Sequence, residues 1–235
     1  PSPDTFMKVF NEAVAAGDDV LGIFISSDLS GTYQSACLAA LDVEEETRKK
    51  LYMVDSRSAS IGTALLIREA VKLRDAGVNV SDIAAACTEM SKYIKLTAVV
   101  GSLKYLKMGG RLSGAAAFAG TMLHITPVVS IEDGKVVVIG KTRGKKAAEK
   151  LMHDKLTKDG LSLTRDFMFG HINCSESLET FINKSLTYIS DVNGNVGVSS
   201  IGCSVGTHVG PGTYGIAYVE AAESGMNRES IVKTA

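Results

Sequence analysis

Residues 20–36 read VLGIFISSDLSGTYQSA, an apolar run followed by a polar loop and a helix start. The uninterrupted apolar run from Val20 to Ile25 is typical of a strand buried on both faces, as in a parallel sheet. Ser30 then predicts the start of a helix that continues to about Leu41. Since ligands of open α/β sheets bind beyond the carboxyl ends of the strands, this stretch predicts an α/β fold and a site.

The same alternation of helices and strands continues on both sides of this stretch. Helical spacing of apolar residues predicts a helix from Thr5 to Ala16 after the cap-like Asp4, and Leu51 to Val54 is a second buried strand. Further helices are predicted from Glu44 to Lys49, from Ile61 to Ala76, and from a Ser81 cap to about Tyr93. This order favours a small parallel α/β layer.

The second half of the chain favours hairpins. Asp133-Gly134, between the strand candidates Thr126 to Ile131 and Lys135 to Ile139, is the strongest hairpin signal in the sequence. Further strands are predicted at Leu96–Val100, Phe167–Ile172, Val196–Cys203 and Thr213–Val219. Helices are predicted at Leu103–Lys107, Ala115–Leu123, Lys145–Lys158 and Ser175–Ile189. We therefore expect a mixed or mainly antiparallel sheet with helices on one face.

These two halves are predicted to be separate domains. Residues 1–93 would form the α/β domain, residues 94–220 the antiparallel-sheet domain with its last strand near 213–219, and residues 221–235 a tail. The boundary is placed by the change in pattern, because no linker rich in Pro, Gly or Ser marks it.

Composition narrows the class of protein. The 235 residues are 45% hydrophobic, and 25 Lys and Arg balance 26 Asp and Glu. Disorder and a globally basic nucleic-acid-binding surface are therefore disfavoured. No apolar stretch approaches the length of a membrane span and the amino end has no signal pattern, so we expect a cytoplasmic protein without an integral membrane segment. The scattered cysteines and histidines predict reduced thiols and no metal site.

The polar loop after the first strand is the first candidate ligand site. Ser27, Ser30 and Gly31 lie where a strand ends and a helix begins, and the free N–H groups of a helix start favour an anion. Gly31 would let another group approach the backbone closely. Alternatively, Ser30 only caps the helix and Ser27 only makes a turn.

The second candidate is the loop GTHVGPG at residues 206–212. Its glycines and proline predict a tight backbone shape that places His208 at a cleft, where it could donate to an anion. A structural turn histidine is the alternative. His124, His153 and His171 have no such context and are predicted to be structural or solvated.

Two arginines and one apolar set complete the candidates. Arg111 follows two glycines, and Arg143 lies in the densest basic run, KTRGKK at residues 141–146. These residues could start a solvated helix or dock an acidic or phosphate-bearing partner. An apolar set could pack in the core or line a ligand tunnel. It comprises Met108, Phe118, Met122, Leu123 and Ile125.

Five motifs together resemble the DegV family of bacterial fatty-acid-binding proteins. In chain order they are SSDLSGTYQSA (26–36), VDSRSASIGTALLI (54–67), LKYLKMGGRLS (103–113), TPVVSIEDGKV (126–136) and GTHVGPGTYGI (206–216). The resemblance covers nearly the whole chain. It implies a DegV-like two-domain fold that buries one long-chain fatty acid in a tunnel between the domains and, in some bacteria, presents it to a fatty acid kinase.

The resemblance also implies roles for individual residues. Ser30 matches the serine that bonds the carboxylate and His208 the histidine of the same network, whereas Arg111 and Arg143 match kinase-contact arginines. The fatty acid would be the only ligand, with no cofactor. Since the sequence shows no nucleophile with a paired base, we expect a lipid-binding protein and not an enzyme. The alternative is an enzyme for a small anionic substrate, with Ser30 as nucleophile and His208 as base.

The sequence departs from the family at two places. Family members begin with about one more strand and helix and a TSQPSP-like stretch, whereas this chain opens at Pro1. We therefore expect a chain that lacks an amino-terminal strand, helix and carboxylate-binding threonine, and that is less stable and more prone to associate for that reason. Asp28 also stands where a glycine is common, which would reshape the loop without removing Ser30.

Overall fold

The first two strands form a small parallel sheet in the computed structural model, which describes residues 1–112, 125–162, 164–189 and 194–221. Strand β1 (Leu21–Phe24) pairs with β2 (Tyr52–Asp55), and Leu21 lies opposite Tyr52. The helices of this part are α1 (Pro3–Ala15), α2 (Thr32–Thr47), α3 (Ile61–Asp75) and α4 (Val80–Met90). This confirms the parallel α/β layer.

A six-stranded mixed sheet forms the second layer, in the order β5-β4-β3-β8-β6-β7. Its strands are β3 (Ile94–Val99), β4 (Thr126–Glu132), β5 (Lys135–Thr142), β6 (Phe167–His171), β7 (Val196–Ser200) and β8 (Tyr214–Val219). Its helices are α5 (Lys104–Met108), α6 (Lys145–Asp159), α7 (Ser175–Ser185) and α8 (Cys203–Val209). Only the β6–β7 pair among the described strands of this sheet is parallel. The expected fold class is confirmed, while the division at residues 93 and 94 stays a prediction.

Strand β8 shows how the two faces of this sheet differ. Tyr214, Ile216 and Tyr218 are buried beneath α6 and α7 with Phe169 and Phe181. The alternate residues Ala217 and Val219 pack against α3 and α4 of the first layer. Because side chains alternate along a strand, one strand supplies both cores, and the sheet is covered on both faces.

Several helix boundaries differ from the sequence predictions. Helix α2 runs without a break where two helices were predicted, because Val43, in the predicted gap, is buried and holds the helix against its core. It ends where Arg48 adopts a left-handed conformation, with φ of 60°. The caps of α1 and α4 are Ser2 and Asn79, whose side chains accept backbone hydrogen bonds, and not Asp4 and Ser81.

Strand β1 is less enclosed than the sequence predicted. Its four residues are half-buried, and β2 is the one described strand that bonds to it. Beside its open edge, Ile67 and Val71 of α3 are exposed at 44% and 38%. Exposed apolar side chains at a strand edge favour association. The absence of an amino-terminal strand and helix stays a prediction.

Charged side chains join α3 to the six-stranded sheet. Asp166, just before β6, accepts from Arg68 Nε at 2.9 Å and from Lys72 Nζ at 2.6 Å. Burial acts to raise the pKa of Asp166, but hydrogen bonds from Lys72, Asn195 N and Arg68 outweigh it and lower the pKa from 3.8 to about 2. Since this carboxyl is more acidic in the folded state, it stabilises the fold above pH 3.8, and that contribution is lost as the pH falls to about 2.

Two of the remaining histidines have structural roles, as expected. The His153 ring is buried and stacks against Tyr188 at 4.2 Å and Phe181 at 5.2 Å, and Nε2 bonds Ser185 Oγ at 2.9 Å. Burial lowers the pKa of His153. His171 Nδ1 accepts from Cys174 N at 3.3 Å. His124, the predicted helix at 115–123 and the tail from residue 222 lie outside the described residues.

All four cysteines are free thiols. Within the described residues, no helix combines the length and the apolarity needed to cross a bilayer. No group of three His, Cys, Asp or Glu residues in the described part of the chain could hold a metal ion.

Candidate functional site

A cavity of about 300 Å³ lies between the loops that follow β1 and β2 and one face of the six-stranded sheet. Most of its lining is apolar. The sheet contributes Leu96, Ala98, Val100, Val129, Ile131 and Val136, and the first layer contributes Ile25, Leu29, Ala59 and Ile61. Helices α5 and α8 and the segments beside them add Leu106, Ile201, Val205 and Val209. Its size and lining suit an apolar ligand.

The polar lining comes from segments that are far apart in the sequence. It comprises Ser30, Thr32, Ser60, Arg111, Ser204, His208 and Thr213. Ser30 and Thr32 stand at the start of α2, and Ser60 directly precedes α3. Because β1 and β2 are parallel, both helices begin at the same edge of their sheet, so their positive dipole ends face the cavity.

Ser30 lies in the turn that precedes α2. Its Oγ bonds Thr32 Oγ1 at 2.8 Å and accepts from Thr32 N at 3.3 Å, so it satisfies the first N–H of the helix, while Gly31 is the N-cap residue. The helix itself begins at Thr32, two residues later than predicted, because Ser30 closes the turn that precedes it. The same side chain lines the cavity, where a ligand could replace the Thr32 hydroxyl as partner.

The other two residues predicted in this loop lie differently. Ser27 N donates to Asp55 Oδ2 at 3.2 Å, which ties the loop after β1 to the end of β2. Gly31 is exposed, and no described atom lies within 4 Å of the position of a Cβ on it. Neither residue is among the described residues that line the cavity. The ligand roles of Ser27 and Gly31 stay predictions.

The strands of the β4–β5 hairpin line the cavity through Val129, Ile131 and Val136, and the tip of the hairpin makes contacts of its own. Asp133 and Gly134 have φ of 49° and 81°, so the turn requires residues that tolerate positive φ. Gly134 O accepts a buried bond from Ser26 Oγ at 2.8 Å, and Arg57 pairs with Asp133 at 2.9 Å. The predicted hairpin is therefore confirmed, and its tip docks on the loops that follow β1 and β2.

Asp28, where the resemblance implied a glycine, lies beside the same contact. Its carboxylate lies 3.5 Å from Lys135 Nζ on β5. Its backbone N donates to Ser26 Oγ at 3.3 Å. The ion pair joins the loop that leads to Ser30 to the hairpin, and the backbone bond braces the loop internally.

His208 lies on a helix and not in a loop. Helix α8 extends to Val209 and ends at Gly210, whose φ is 79°. The prediction of a turn over residues 206–212 was wrong for its first half, since only Gly210 to Gly212 form the bend. His208 lines the cavity from the last turn of α8, and its Nδ1 is buried with no hydrogen-bond partner among the described residues.

The geometry does not provide a catalytic Ser–His pair. Ser30 Oγ bonds Thr32, and across the described residues no hydrogen bond joins it to His208. A third group that orients His208 is likewise missing there, because Nδ1 has no partner. Nucleophilic catalysis needs both contacts. Through its donors the arrangement can bind an anion, and the two contacts that a Ser30–His208 hydrolytic pair needs are not found among the described residues.

Arg111 lies at the cavity and Arg143 does not. Arg111 is exposed and lines the cavity, and its Nε donates to Leu29 O at 3.1 Å, next to Ser30. Arg143 is exposed in the turn between β5 and α6 and is not among the described lining residues. The sequence predicted Arg111 only as a docking residue, whereas it also contributes a cation to the cavity.

The sequence predictions missed four polar residues of the lining: Thr32, Ser60, Ser204 and Thr213. Ser60 could have been found by the rule that selected Ser30, because it too stands between a parallel strand and the next helix. Of the apolar set proposed for core or tunnel, Met108 is 76% exposed and belongs to neither. Ile125 is half-buried, and Phe118, Met122 and Leu123 lie outside the described residues.

Comparison with known proteins identifies the family of this chain. A family model described as "Uncharacterised protein, DegV family" matches residues 1–221. A DegV domain-containing protein of Clostridium acetobutylicum is 35% identical over 228 residues, covering 93% of this chain and 76% of the relative.

Two solved structures have a similar fold. One, a DegV family protein from Thermus thermophilus described with fatty acid binding, is 29% identical with a TM-score of 0.83, covering 94% of this chain and 78% of that one. The other, the Fatty Acid Kinase B3 protein of Streptococcus pneumoniae loaded with linoleic acid, is 23% identical with a TM-score of 0.82, covering 94% and 77%. At that identity the second supports the fold alone.

Proposed function

The chain belongs to the DegV family, and from that premise we propose that it binds one long-chain fatty acid in the cavity, with the carboxylate held by Ser30 and His208. The observation that carries the proposal is one cavity whose walls are apolar and whose donors are Ser30, Thr32, Ser60, His208 and Arg111. Such a lining matches an acyl chain with a single anionic end. The Thermus thermophilus protein of the same fold is described with fatty acid binding.

The affinity would come mainly from the acyl chain. Each methylene transferred from water contributes about 0.8 kcal/mol. The carboxylate must keep its hydrogen bonds as it loses water, because an unpaired buried charge is strongly unfavourable. Hydroxyl donors at the starts of α2 and α3, together with the His208 imidazole and the Arg111 guanidinium, would supply those bonds. The donors therefore fix the orientation of the ligand, and the apolar walls hold it.

Solvent extraction of the purified protein followed by mass spectrometry tests this function. We expect a fatty acid in the extract and binding of added palmitate or oleate by the delipidated protein. Ser30→Ala and His208→Ala should each weaken binding by about 1–3 kcal/mol, because each removes a donor to a charged group. Titration with a fluorescent fatty acid measures the loss.

Thr207→Ala is the matched control. Thr207 precedes His208 on α8 and is exposed, and its hydroxyl donates to Ser204 O at 3.1 Å. This variant should bind like the parent protein. An empty extract together with no binding of palmitate or oleate would contradict the proposal, and full binding by both donor variants would remove Ser30 and His208 from the site.

We further propose that the surface bearing Arg111 and Arg143 docks a fatty acid kinase. Arg111 lies at the cavity, so a kinase that binds there would reach the carboxyl group. Arginine suits such a partner because its planar fork binds carboxylates and phosphates. The protein would then present its ligand for phosphorylation and would not itself be an enzyme.

Arg143→Gln separates docking from fatty acid binding, since Arg143 is outside the lining. We expect a bacterial fatty acid kinase to form acyl phosphate several-fold more slowly with this variant, while the affinity for fatty acid stays unchanged. The control is Lys150→Gln, which removes an exposed cation on the neighbouring helix α6 and should leave the rate unchanged. Equal rates for all three proteins would exclude Arg143 from the docking surface.

A further inference from the structure

Gly109, which follows α5, lies directly against the ring of His208. A Cβ on Gly109 would stand 2.2 Å from His208 Nδ1 and 2.9 Å from Cε1. Real Cβ atoms do not come this close to other heavy atoms, so any larger residue must displace the ring or the backbone. The φ of Gly109 is −77°, which every amino acid tolerates. The position therefore needs glycine for space and not for backbone conformation.

The contact determines which edge of the imidazole faces the cavity. Nδ1 is buried and has no hydrogen-bond partner in the described part of the chain, so it is accessible neither to solvent nor to the cavity. His208 nevertheless lines the cavity. Of the two ring nitrogens, Nε2 is therefore the one that can face the cavity.

This orientation also selects a tautomer. A neutral imidazole carries one N–H, and on Nδ1 it would be a buried donor with no acceptor among the described residues. On Nε2 the same proton faces the cavity, where a carboxylate can accept it. The packing at Gly109 therefore favours a ring that donates through Nε2.

A second glycine shows that the approach of α5 and α8 is set at two points. A Cβ on Gly210 would stand 2.3 Å from Cδ2 of the Tyr105 ring. Each helix thus presents a ring to a glycine beside the other helix: Tyr105 to Gly210 and His208 to Gly109. The two contacts together fix α8, and the His208 ring with it, relative to the cavity.

We propose that Gly109 is a positioning residue for ligand binding, because the space it leaves holds the His208 ring with Nε2–H directed at the head group. The proposal rests on the function proposed above, since the group that accepts this proton is the fatty acid carboxylate. Gly109 itself does not line the cavity among the described residues. Its effect would pass entirely through His208.

The test is a double-mutant cycle between Gly109→Ala and His208→Ala. We expect Gly109→Ala alone to weaken palmitate binding about 10-fold, the size expected for one misplaced hydrogen bond to a charged group. In the His208→Ala background the added methyl group has room, so the same change should have no further effect. This background also restores packing if the single variant folds poorly.

Gly202→Ala is the matched control. Gly202 precedes α8, has a φ of −64°, and no described atom lies within 4 Å of a Cβ on it. Its replacement should leave binding unchanged. Nitrogen-15 spectra of the imidazole give an independent readout: the parent protein should show the Nε2–H tautomer of His208, and Gly109→Ala should change that signal.

The outcomes separate this proposal from the function on which it rests. Parent-like binding by His208→Ala would overturn the head-group assignment itself. Weakened binding by His208→Ala with parent-like binding by Gly109→Ala would overturn the positioning role alone. An equal loss from Gly109→Ala in both backgrounds would show that the methyl group acts on the fold and not through His208, which also overturns it.

Discussion

Ala98→Leu is expected to weaken binding of a long-chain fatty acid about 50-fold. Ala98 lies on β3 opposite Gly215 of β8, and both residues line the cavity. Because their side chains are a methyl group and a hydrogen atom, this part of the cavity wall leaves space for the ligand. Leucine adds three carbons, which displace about three methylenes of the ligand at about 0.8 kcal/mol each. A titration series from decanoate to palmitate should show a smaller loss for the shorter acid.

The adjacent position on β3 provides the control. Val99 faces the opposite core under α6, so Val99→Ile alters the packing of the same strand without entering the cavity. It should leave palmitate binding unchanged. Ala98→Leu should keep the thermal stability of the empty protein, because the new side chain fills existing space. A stable Ala98→Leu variant that binds palmitate like the parent protein would place the acyl chain elsewhere.

Sequence patterns predicted the parts of the fold that depend on interactions between residues close together in the chain. The turn at Asp133 and Gly134 was predicted because these residue types tolerate positive φ, and both adopt it. Helix α3 was predicted within one residue of its observed end, because its apolar residues recur on one face. In both cases the determining interactions lie within a few residues of the chain.

Helix α8 could not be predicted from the local sequence. Its seven residues include Gly206 and the β-branched Val205, Thr207 and Val209, which disfavour a helix. The helix forms beside α5, where Gly109 and Gly210 allow the two segments to approach closely. Such tertiary contacts override propensity. They also decide whether His208 lies on a helix or in a loop.

The residues of the candidate site were likewise predictable only in part. Ser30 could be selected from the sequence because strand, loop and helix follow one another there. Ser60 stands in the same strand–loop–helix context, so the same rule could have selected it. Ser204, Thr213 and the second role of Arg111 could not be found, because the folding of distant segments alone brings them to the cavity.

Arg165→Met should lower the free energy of unfolding by about 3–5 kcal/mol, the largest effect on stability that we expect. Arg165, before β6, pairs with Glu69 of α3, and each side chain is only 8% exposed. Removal of the cation takes away the buried guanidinium that pairs with the buried Glu69 carboxylate. Urea unfolding followed by circular dichroism measures the change. The control is Arg74→Met, which removes one partner of an exposed ion pair with Asp75 and should change the free energy of unfolding by less than about 1 kcal/mol.

The double variant Glu69→Met with Arg165→Met distinguishes charge burial from packing. It removes both buried charges, so it should recover most of the stability that Arg165→Met loses. Equal losses in the single and double variants would show that the arginine acts by filling space and not by balancing Glu69. Because the start of α3 also lines the cavity, the single variant should in addition weaken fatty acid binding, and the double variant should restore it. The stability of the fold and the binding of fatty acid would then both depend on the Glu69–Arg165 contact between the two layers of the protein.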